Sequence, residues 1–290
     1  MKVEKRANEL EFKVLNDGIQ KASNEVLSRF DGLLKVKFPR DLPTVIELHI
    51  KLAHSSYLGI LHLCRNSLDA QRRRVELASV ASPIARSMLD GLFNVIYLGA
   101  DPKRTIRDYR RAGWRELVEP HLRNQEKYGS LPEWNDWFAE SRKLANSIGE
   151  TEGLSDEDLK SVRVWPIPSR MAADSKNELP KEIREFLQYL NDWFYRAYSQ
   201  EAHLTWPGLA QRAFPFVRDL RRESEKERLA KYKSDHIYRA ALLLLMTLSE
   251  VNTQLSLGTS TQLQYLWVLL SEYFLESKEL YQLRYQKLLT

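Results

Sequence analysis

Apolar residues recur at intervals of three and four along most of the chain, which is the period of helices that bury one face. No segment sustains the alternation of Val, Ile and Thr that a half-buried strand shows. We therefore predict an all-α protein, a multi-helix bundle. The pattern predicts helices at about 4–37, 42–69, 74–99, 102–127, 131–148, 180–206, 208–255 and 260–289.

Proline and glycine mark several of these boundaries. Pro39 and Pro43 close the first helix, and Asp101-Pro102 separates the third from the fourth, because proline is tolerated in a first helical turn. The segment 258–261, Gly-Thr-Ser-Thr, predicts a turn followed by N-capping residues for the last helix.

Residues 149–179 break the helical pattern and predict an irregular excursion, a length of loop that is usually functional or disordered. Trp165 and Met171 indicate that part of it packs down, as a lid over the site described below. The charged stretch 218–233 predicts a solvated helix face. The predicted organisation is an N-terminal helix at 1–41, a helical core domain at 42–222 and a C-terminal helical extension at 223–290 packed on the core.

The composition is that of an ordinary folded protein. Of the 290 residues, 43% are hydrophobic and 29% charged, which excludes a disordered or collagen-like chain. The formal net charge of +5 permits an anionic partner such as RNA or a nucleotide without requiring one. The single cysteine, Cys64, excludes an intramolecular disulfide and a cysteine-based metal site.

Neither the beginning of the chain nor its most apolar run has the character of a membrane segment. The first six residues carry no apolar core like that of a signal peptide. The apolar run at 240–246 is far shorter than the roughly 20 residues that span a bilayer. We expect a soluble, cytoplasmic protein with no membrane partner.

Polar residues interrupt an apolar face in the helix around residues 85–94, where Arg86, Asp90 and Asn94 lie four apart. Residues four apart on a helix are neighbours, so Arg86 and Asp90 can form an ion pair. A buried charge costs several kcal/mol unless it is paired. The stripe is either an ion pair that anchors neighbouring helices or a guanidinium that Asp90 holds toward an anion such as phosphate.

A second polar stripe, in 195–203, contains Arg196, Ser199 and His203. Seven residues bring a helix back to within about 20°, so Arg196 and His203 share a face with Ser199 between them. Histidine is a general acid or base near neutral pH, and arginine can stabilise charge on a phosphorane. The position of His203 at a helix end favours a protonated ring. The alternative is a core histidine satisfied by one hydrogen bond.

Other motifs for chemistry are missing from the sequence. It contains no Glu-x-x-His, His-Glu-x-x-His, Gly-x-x-x-x-Gly-Lys or Gly-x-Gly-x-x-Gly, and we predict no cofactor and no metal. The spacing of His49, His54 and His62 is poor for chelation. Five tryptophans have the spacing of core or interface residues rather than of base-stacking platforms: Trp134, Trp137, Trp193, Trp206 and Trp267.

The two stripes resemble a bacterial all-helical domain family of unknown function, over roughly residues 48–209. Its Arg-x-x-x-Glu/Asp motif, followed by an aromatic-rich stretch and Asp-Pro, is matched by Arg86, Asp90, Tyr97, Leu98, Asp101 and Pro102. A Trp-Pro segment followed by Arg-Met-Ala is matched at 165–172. The tyrosine-rich helix ending in Ser-x-x-x-His is matched by Tyr195, Tyr198, Ser199 and His203.

That family is similar to HEPN domains, helical bundles of which many are metal-independent ribonucleases in toxin–antitoxin, CRISPR and antiphage systems. Their signature is an arginine, four to six residues and a histidine on one helix, which Arg196 and His203 match. The resemblance implies an HEPN-like core, catalysis by Arg196 and His203 with support from Arg86 or Asp90, and a site formed across a homodimer. Ala197 stands where active members often have a polar residue.

Three functions follow from these observations. The first is an HEPN-like endoribonuclease, in phage defence or a toxin system, in which a ribose 2′-hydroxyl attacks the adjacent phosphate. The second is a non-catalytic scaffold or sensor that acts through homo- or hetero-oligomers, in which Arg86–Asp90 meets Ser199–His203 in one buried network. The third is a pocket between helices for a nucleotide or another anion.

Overall fold

The computed structural model describes residues 2–33, 41–65, 78–173, 179–203, 205–206, 208–209 and 225–290, and for 2–11, 31–32, 65 and 225–229 it describes the backbone alone. Within these ranges every regular element is a helix or a helical turn. The predicted all-α, multi-helix bundle is therefore confirmed.

Thirteen α-helices follow one another in the described chain, with single turns of 3₁₀ or π geometry between some of them. The 3₁₀ turns are Pro132–Trp134 and Asp156–Lys160, and the π turns are Asn191–Tyr195 and Tyr281–Tyr285. The helices are α1 (Lys2–Ser28), α2 (Phe30–Leu33), α3 (Leu42–Arg65), α4 (Ala81–Ala100), α5 (Pro102–Tyr128), α6 (Asn135–Glu152), α7 (Pro168–Ala173), α8 (Lys181–Leu190), α9 (Arg196–Ala202), α10 (Glu225–Leu255), α11 (Ser260–Tyr273), α12 (Leu275–Leu280) and α13 (Gln286–Leu288).

The core of the bundle is built around α10. Every side chain from 240 to 252 is buried, because α3 and α4 pack along one side of this helix and α1 and α11 along others. Helices that are apolar all round occur in such central positions. Residues 237–255, which lie in the predicted C-terminal extension, thus share one hydrophobic core with α3 and α4.

A smaller core joins α5 and α6. The indole of Trp114 is almost completely buried and packs with Val118, Ala145 and Val162. Gly149 lies under this indole, since a Cβ at that position would meet Trp114 Nε1 at 2.9 Å. The absence of a side chain at Gly149 therefore permits the close approach of the two helices.

Most predicted boundaries lie within a few residues of the observed ones, but the first predicted helix (4–37) is interrupted after Ser28, and the last is interrupted as well. The last predicted helix is interrupted at Phe274, whose backbone is extended at φ −138° and ψ 109°. Thr259 precedes α11 but makes no side-chain cap. Its hydroxyl instead donates to Asn252 Oδ1 at 2.8 Å, which ties the turn at Gly258 (φ 71°) back to α10.

The predicted excursion is shorter and more helical than its sequence suggests. The helix α6 continues to Glu152 and ends at Gly153, which has the left-handed backbone (φ 65°) typical of a helix C-terminus. Met171 is buried in α7, and the ring of Trp165 packs edge-on against Tyr109 at 4.7 Å. The parts of the predicted segments at 34–37, 66–69, 74–77, 174–178 and 210–224 lie outside the described residues.

Candidate functional site

The helix α4 contributes the first half of the site. Its apolar face packs on α3 and α10, and its polar stripe faces α9. The side chain of Arg86 is only 18% exposed, and its Nε lies 3.6 Å from Asp90 Oδ2. Burial raises the pKa of Asp90, although the nearby Arg86 opposes that shift. Arg86 Nε has no hydrogen-bond partner, so this carboxylate acts on the guanidinium through its charge rather than through a hydrogen bond.

The short helix α9 and the π turn before it contribute the second half. His203 follows the last residue of α9 and is exposed, and its backbone N–H donates to Ser199 O at 3.0 Å. Arg86 Nη1 lies 3.5 Å from His203 Nε2, so the two helices meet through these side chains. When Nε2 carries no proton, it can accept a hydrogen bond from the guanidinium.

Tyr195, the last residue of the π turn, completes the contact. Arg86 Nη2 donates to the Tyr195 hydroxyl oxygen, and the guanidinium carbon lies 4.3 Å from the centre of the ring. Burial, together with the charge of Asp90, raises the pKa of Tyr195 despite the opposing effect of Arg86. The phenol therefore keeps its proton and can donate it to an anionic ligand while its oxygen accepts from Arg86.

A groove of about 390 Å³ adjoins this cluster. Arg196 is 72% exposed at the groove, and its Nε lies 3.9 Å from Asp192 Oδ1, one turn earlier. Tyr195 belongs both to the groove and to the Arg86 cluster, so the two adjoin at this residue. The lining residues are Ser169, Asn191, Tyr195, Arg196, Ser199 and Gln200.

The structure thus brings most of the proposed site residues to one surface. Arg86, Asp90 and His203 form the contact between α4 and α9, whereas Arg196 and Ser199 line the adjoining groove. Asn94 faces elsewhere, because its Oδ1 accepts the Trp165 indole N–H at 2.9 Å. Its role is to hold the 161–168 segment on α4.

Sequence reasoning gave Tyr195 no part in the site and overlooked Glu201. Tyr195, Ser199 and His203 are spaced four apart, and this row could have identified the tyrosine. Glu201 is 7% exposed, and its carboxylate accepts a hydrogen bond from the hydroxyl of Ser82, which lies one turn before Arg86 on α4. Its only sequence signal is a charge on an otherwise apolar face.

Arg239 of α10 lies near Glu201 and Tyr198, and these groups with Asp235 raise its pKa although burial opposes this. Burial raises the pKa of Tyr198 in turn. Buried polar groups that satisfy one another fix the position of the elements that carry them. The hydrogen bond between Ser82 and Glu201 therefore holds α9 against α4, and His203 lies exposed at the end of α9.

Other classes of site receive no support from the part of the chain that the structure describes. Its residues hold no group of three or more His, Cys, Asp or Glu side chains arranged to bind a metal ion. Among these same ranges, no helix is both long and apolar enough to cross a bilayer. Burial lowers the pKa of both His49 and His54.

Comparison with known proteins gives no relative: no family model, curated protein or solved structure matches the chain.

Proposed function

We propose that this protein is an HEPN-like endoribonuclease that cleaves RNA without a metal ion. The observation that carries the proposal is the contact between Arg86 and His203 at 3.5 Å, on an exposed surface that adjoins the groove beside Arg196. A fixed guanidinium beside an accessible imidazole combines anion binding with proton transfer.

The phosphate of an RNA strand is the group that fits this cluster best. Arg86 is largely buried and is held by the ring and the hydroxyl of Tyr195, so little conformational freedom is lost when its donors meet an anion. The Tyr195 hydroxyl adds a neutral donor to the same position. Arg196, across the groove, adds a second positive charge.

The cleavage step exchanges one bond at phosphorus and transfers two protons, one from the ribose to His203 and one from water to the leaving oxygen, and His203 then returns its proton to the hydroxide that remains. Unprotonated His203 removes the proton from the ribose 2′-hydroxyl, and the 2′-oxygen then bonds to the adjacent phosphorus. The bond between phosphorus and the 5′-oxygen breaks, and that oxygen takes a proton from water. Arg86 and Arg196 stabilise the extra negative charge that develops on the phosphoryl oxygens. The products are a 2′,3′-cyclic phosphate and a 5′-hydroxyl.

The exposure of the key side chains argues against a purely structural role for this stripe. A buried network would enclose His203 and Arg196, but His203 is exposed and Arg196 is 72% exposed. The buried polar contacts that join α4 to α9 come instead from Ser82 and Glu201. The hydrogen bond between Ser82 and Glu201 therefore joins α4 to α9 without a contribution from the side chains of His203 and Arg196.

The test is incubation of the purified chain with mixed RNA in EDTA. We expect His203→Ala to lower the cleavage rate by about 100- to 10,000-fold, as loss of a general base does. We expect Arg196→Ala to lower it by about 100-fold. The matched controls, His62→Ala on α3 and Arg123→Ala on α5, replace exposed residues of the same types and should cleave at the wild-type rate.

Folding of the variants is checked by thermal unfolding. Exposed substitutions change stability by about 0.5 kcal/mol or less, so the melting temperature of His203→Ala should stay within about 2 °C of the wild type. Wild-type protein that leaves RNA intact, or His203→Ala protein that cleaves at the wild-type rate, would overturn the proposal.

A further inference from the structure

Trp193 is unusual for a large aromatic residue because it is 70% exposed. It lies in the π turn Asn191–Tyr195, whose first and last residues line the groove. Trp193 precedes Arg196 by three residues and Gln200 by seven, and residues at those spacings share one side of a helix. The indole therefore lies beside the groove, although Trp193 is not among the residues that line it, and its ring packs near Tyr189 at 6.3 Å.

The groove itself is polar and carries mostly neutral side chains. Asn191 and Gln200 present amides, and Ser169 and Ser199 present hydroxyls. Amides pair with the donor and acceptor edges of nucleobases, and hydroxyls with sugar oxygens. A volume of about 390 Å³ falls in the range of small-molecule sites, so the groove has room for one nucleoside.

The charged side chains lie at one end of the groove, and the exposed indole of Trp193 lies beside the other. The positive groups Arg86 and Arg196 lie beside Tyr195, and the acids Asp90 and Asp192 each sit next to one of these guanidinium groups. Trp193 instead offers a flat apolar face. A ligand that is anionic at one end and aromatic at the other matches this arrangement.

We propose that the groove binds the nucleoside attached to the phosphate at Arg86 and His203, and that Trp193 is the surface on which its base stacks. The inference rests on the proposed function for the phosphate position alone. A base that stacks on Trp193 cannot be paired within a duplex at the same time. The site therefore takes a nucleotide with an unpaired base.

The experiment measures binding of fluorescent six-unit deoxyribose phosphate chains by anisotropy. One chain carries thymine on every sugar and the other carries no bases, so the two have equal charge. Neither has a 2′-hydroxyl, so the wild-type protein cannot cleave them by the proposed route. We expect the thymine chain to bind more tightly than the abasic chain.

Trp193→Ala should weaken binding of the thymine chain by about 5- to 150-fold, which corresponds to about 1–3 kcal/mol per stacked base. It should leave binding of the abasic chain unchanged. Trp193→Phe keeps an aromatic face and should restore most of the lost affinity. The matched control is Trp137→Ala on α6, a tryptophan that is 41% exposed, which should change neither measurement.

Equal binding of both chains by the wild type, or equal weakening of both by Trp193→Ala, would overturn the inference. Failure of the endoribonuclease proposal gives a different result. In that case RNA stays intact while the preference for the thymine chain and its dependence on Trp193 persist.

Discussion

A single guanidinium organises the candidate site. Arg86 contacts Asp90 on its own helix and both Tyr195 and His203 on the neighbouring segment. Nη2 donates to the Tyr195 hydroxyl and Nη1 lies 3.5 Å from His203 Nε2, whereas Nε has no hydrogen-bond partner and meets Asp90 only as an ion pair at 3.6 Å. The contacts of Arg86 bring a residue from α4 and one that lies 117 positions later in the chain into one cluster.

Tyr195→Phe tests how much the hydroxyl contributes to this arrangement. The ring remains beneath Arg86, but the guanidinium loses its neutral acceptor. Hydrogen bonds to charged groups contribute about 1.5–3 kcal/mol, and partial exposure should bring this one to the lower end. We expect a lower denaturant midpoint, measured by circular dichroism in urea.

The control for that measurement is Tyr265→Phe, which removes a hydroxyl from a tyrosine that is 59% exposed on α11. Its midpoint should match the wild type. If the two variants unfolded at the same urea concentration as the wild type, the Tyr195 hydroxyl would have no part in holding Arg86.

The two stripes could be predicted from sequence because their residues are polar where a helix face is apolar. The distance between them could not, since it depends on how α4 and α9 pack. A helical wheel through Arg196 and His203 places these two within about 20°, and it leaves Tyr195 at the edge of the face. The contact with Arg86 nevertheless goes to Tyr195 and His203, and Arg196 lies in the groove instead.

At the scale of elements, the close contact of α5 and α6 depends on Gly149. A methyl group there would lie 2.9 Å from Trp114 Nε1 and 3.0 Å from the Leu154 carbonyl oxygen. Neither atom can move easily, because the indole is buried and the backbone of Leu154 is tied to α6 by its N–H, which donates to Gly149 O at 2.8 Å. Overpacking of this kind typically costs about 1–3 kcal/mol.

We therefore expect Gly149→Ala to destabilise the protein by about 1–3 kcal/mol in urea unfolding. The control is Gly113→Ala on α5, where a Cβ meets nothing within 4 Å. Alanine at that helical position should stabilise the fold by up to about 1 kcal/mol. Equal effects of the two substitutions would contradict the packing described for α5 and α6.

The helix boundaries show where local sequence signals suffice. Asp101-Pro102 separates α4 from α5 as predicted, because proline acts through its own backbone. The interruption at Phe274 has no such signal, since neither glycine nor proline occurs near it. It depends on how α11 and α12 pack against each other and on the core, which periodicity does not encode.

At the scale of the whole molecule, several histidines lie in surroundings that disfavour their charged form. Burial lowers the pKa of His49 and of His54, and burial together with Arg142 lowers that of His121 despite the opposing effect of Asp156. Below the ordinary histidine pKa of 6.5, the unfolded chain therefore binds more protons than the folded one. Stability contributed by the neutral rings is lost as the pH falls through that value.

We expect the urea midpoint to be lower at pH 5.5 than at pH 7.5. His49→Gln removes one of the titrating groups, so the loss between the two pH values should be smaller in this variant than in the wild type. An unchanged or larger loss in His49→Gln would show that its ring does not contribute to the pH dependence.

The long central helix has a consequence for the order in which the protein can fold. The ribosome makes α3 and α4 well before α10, yet the apolar faces of both helices pack against α10. α3 and α4 can pack against each other as soon as both are made, but the parts of their faces that meet α10 have no native partner until residues 240–252 emerge. A nascent chain in that interval exposes apolar surface of the kind that chaperones bind, and completion of the core must follow translation of α10.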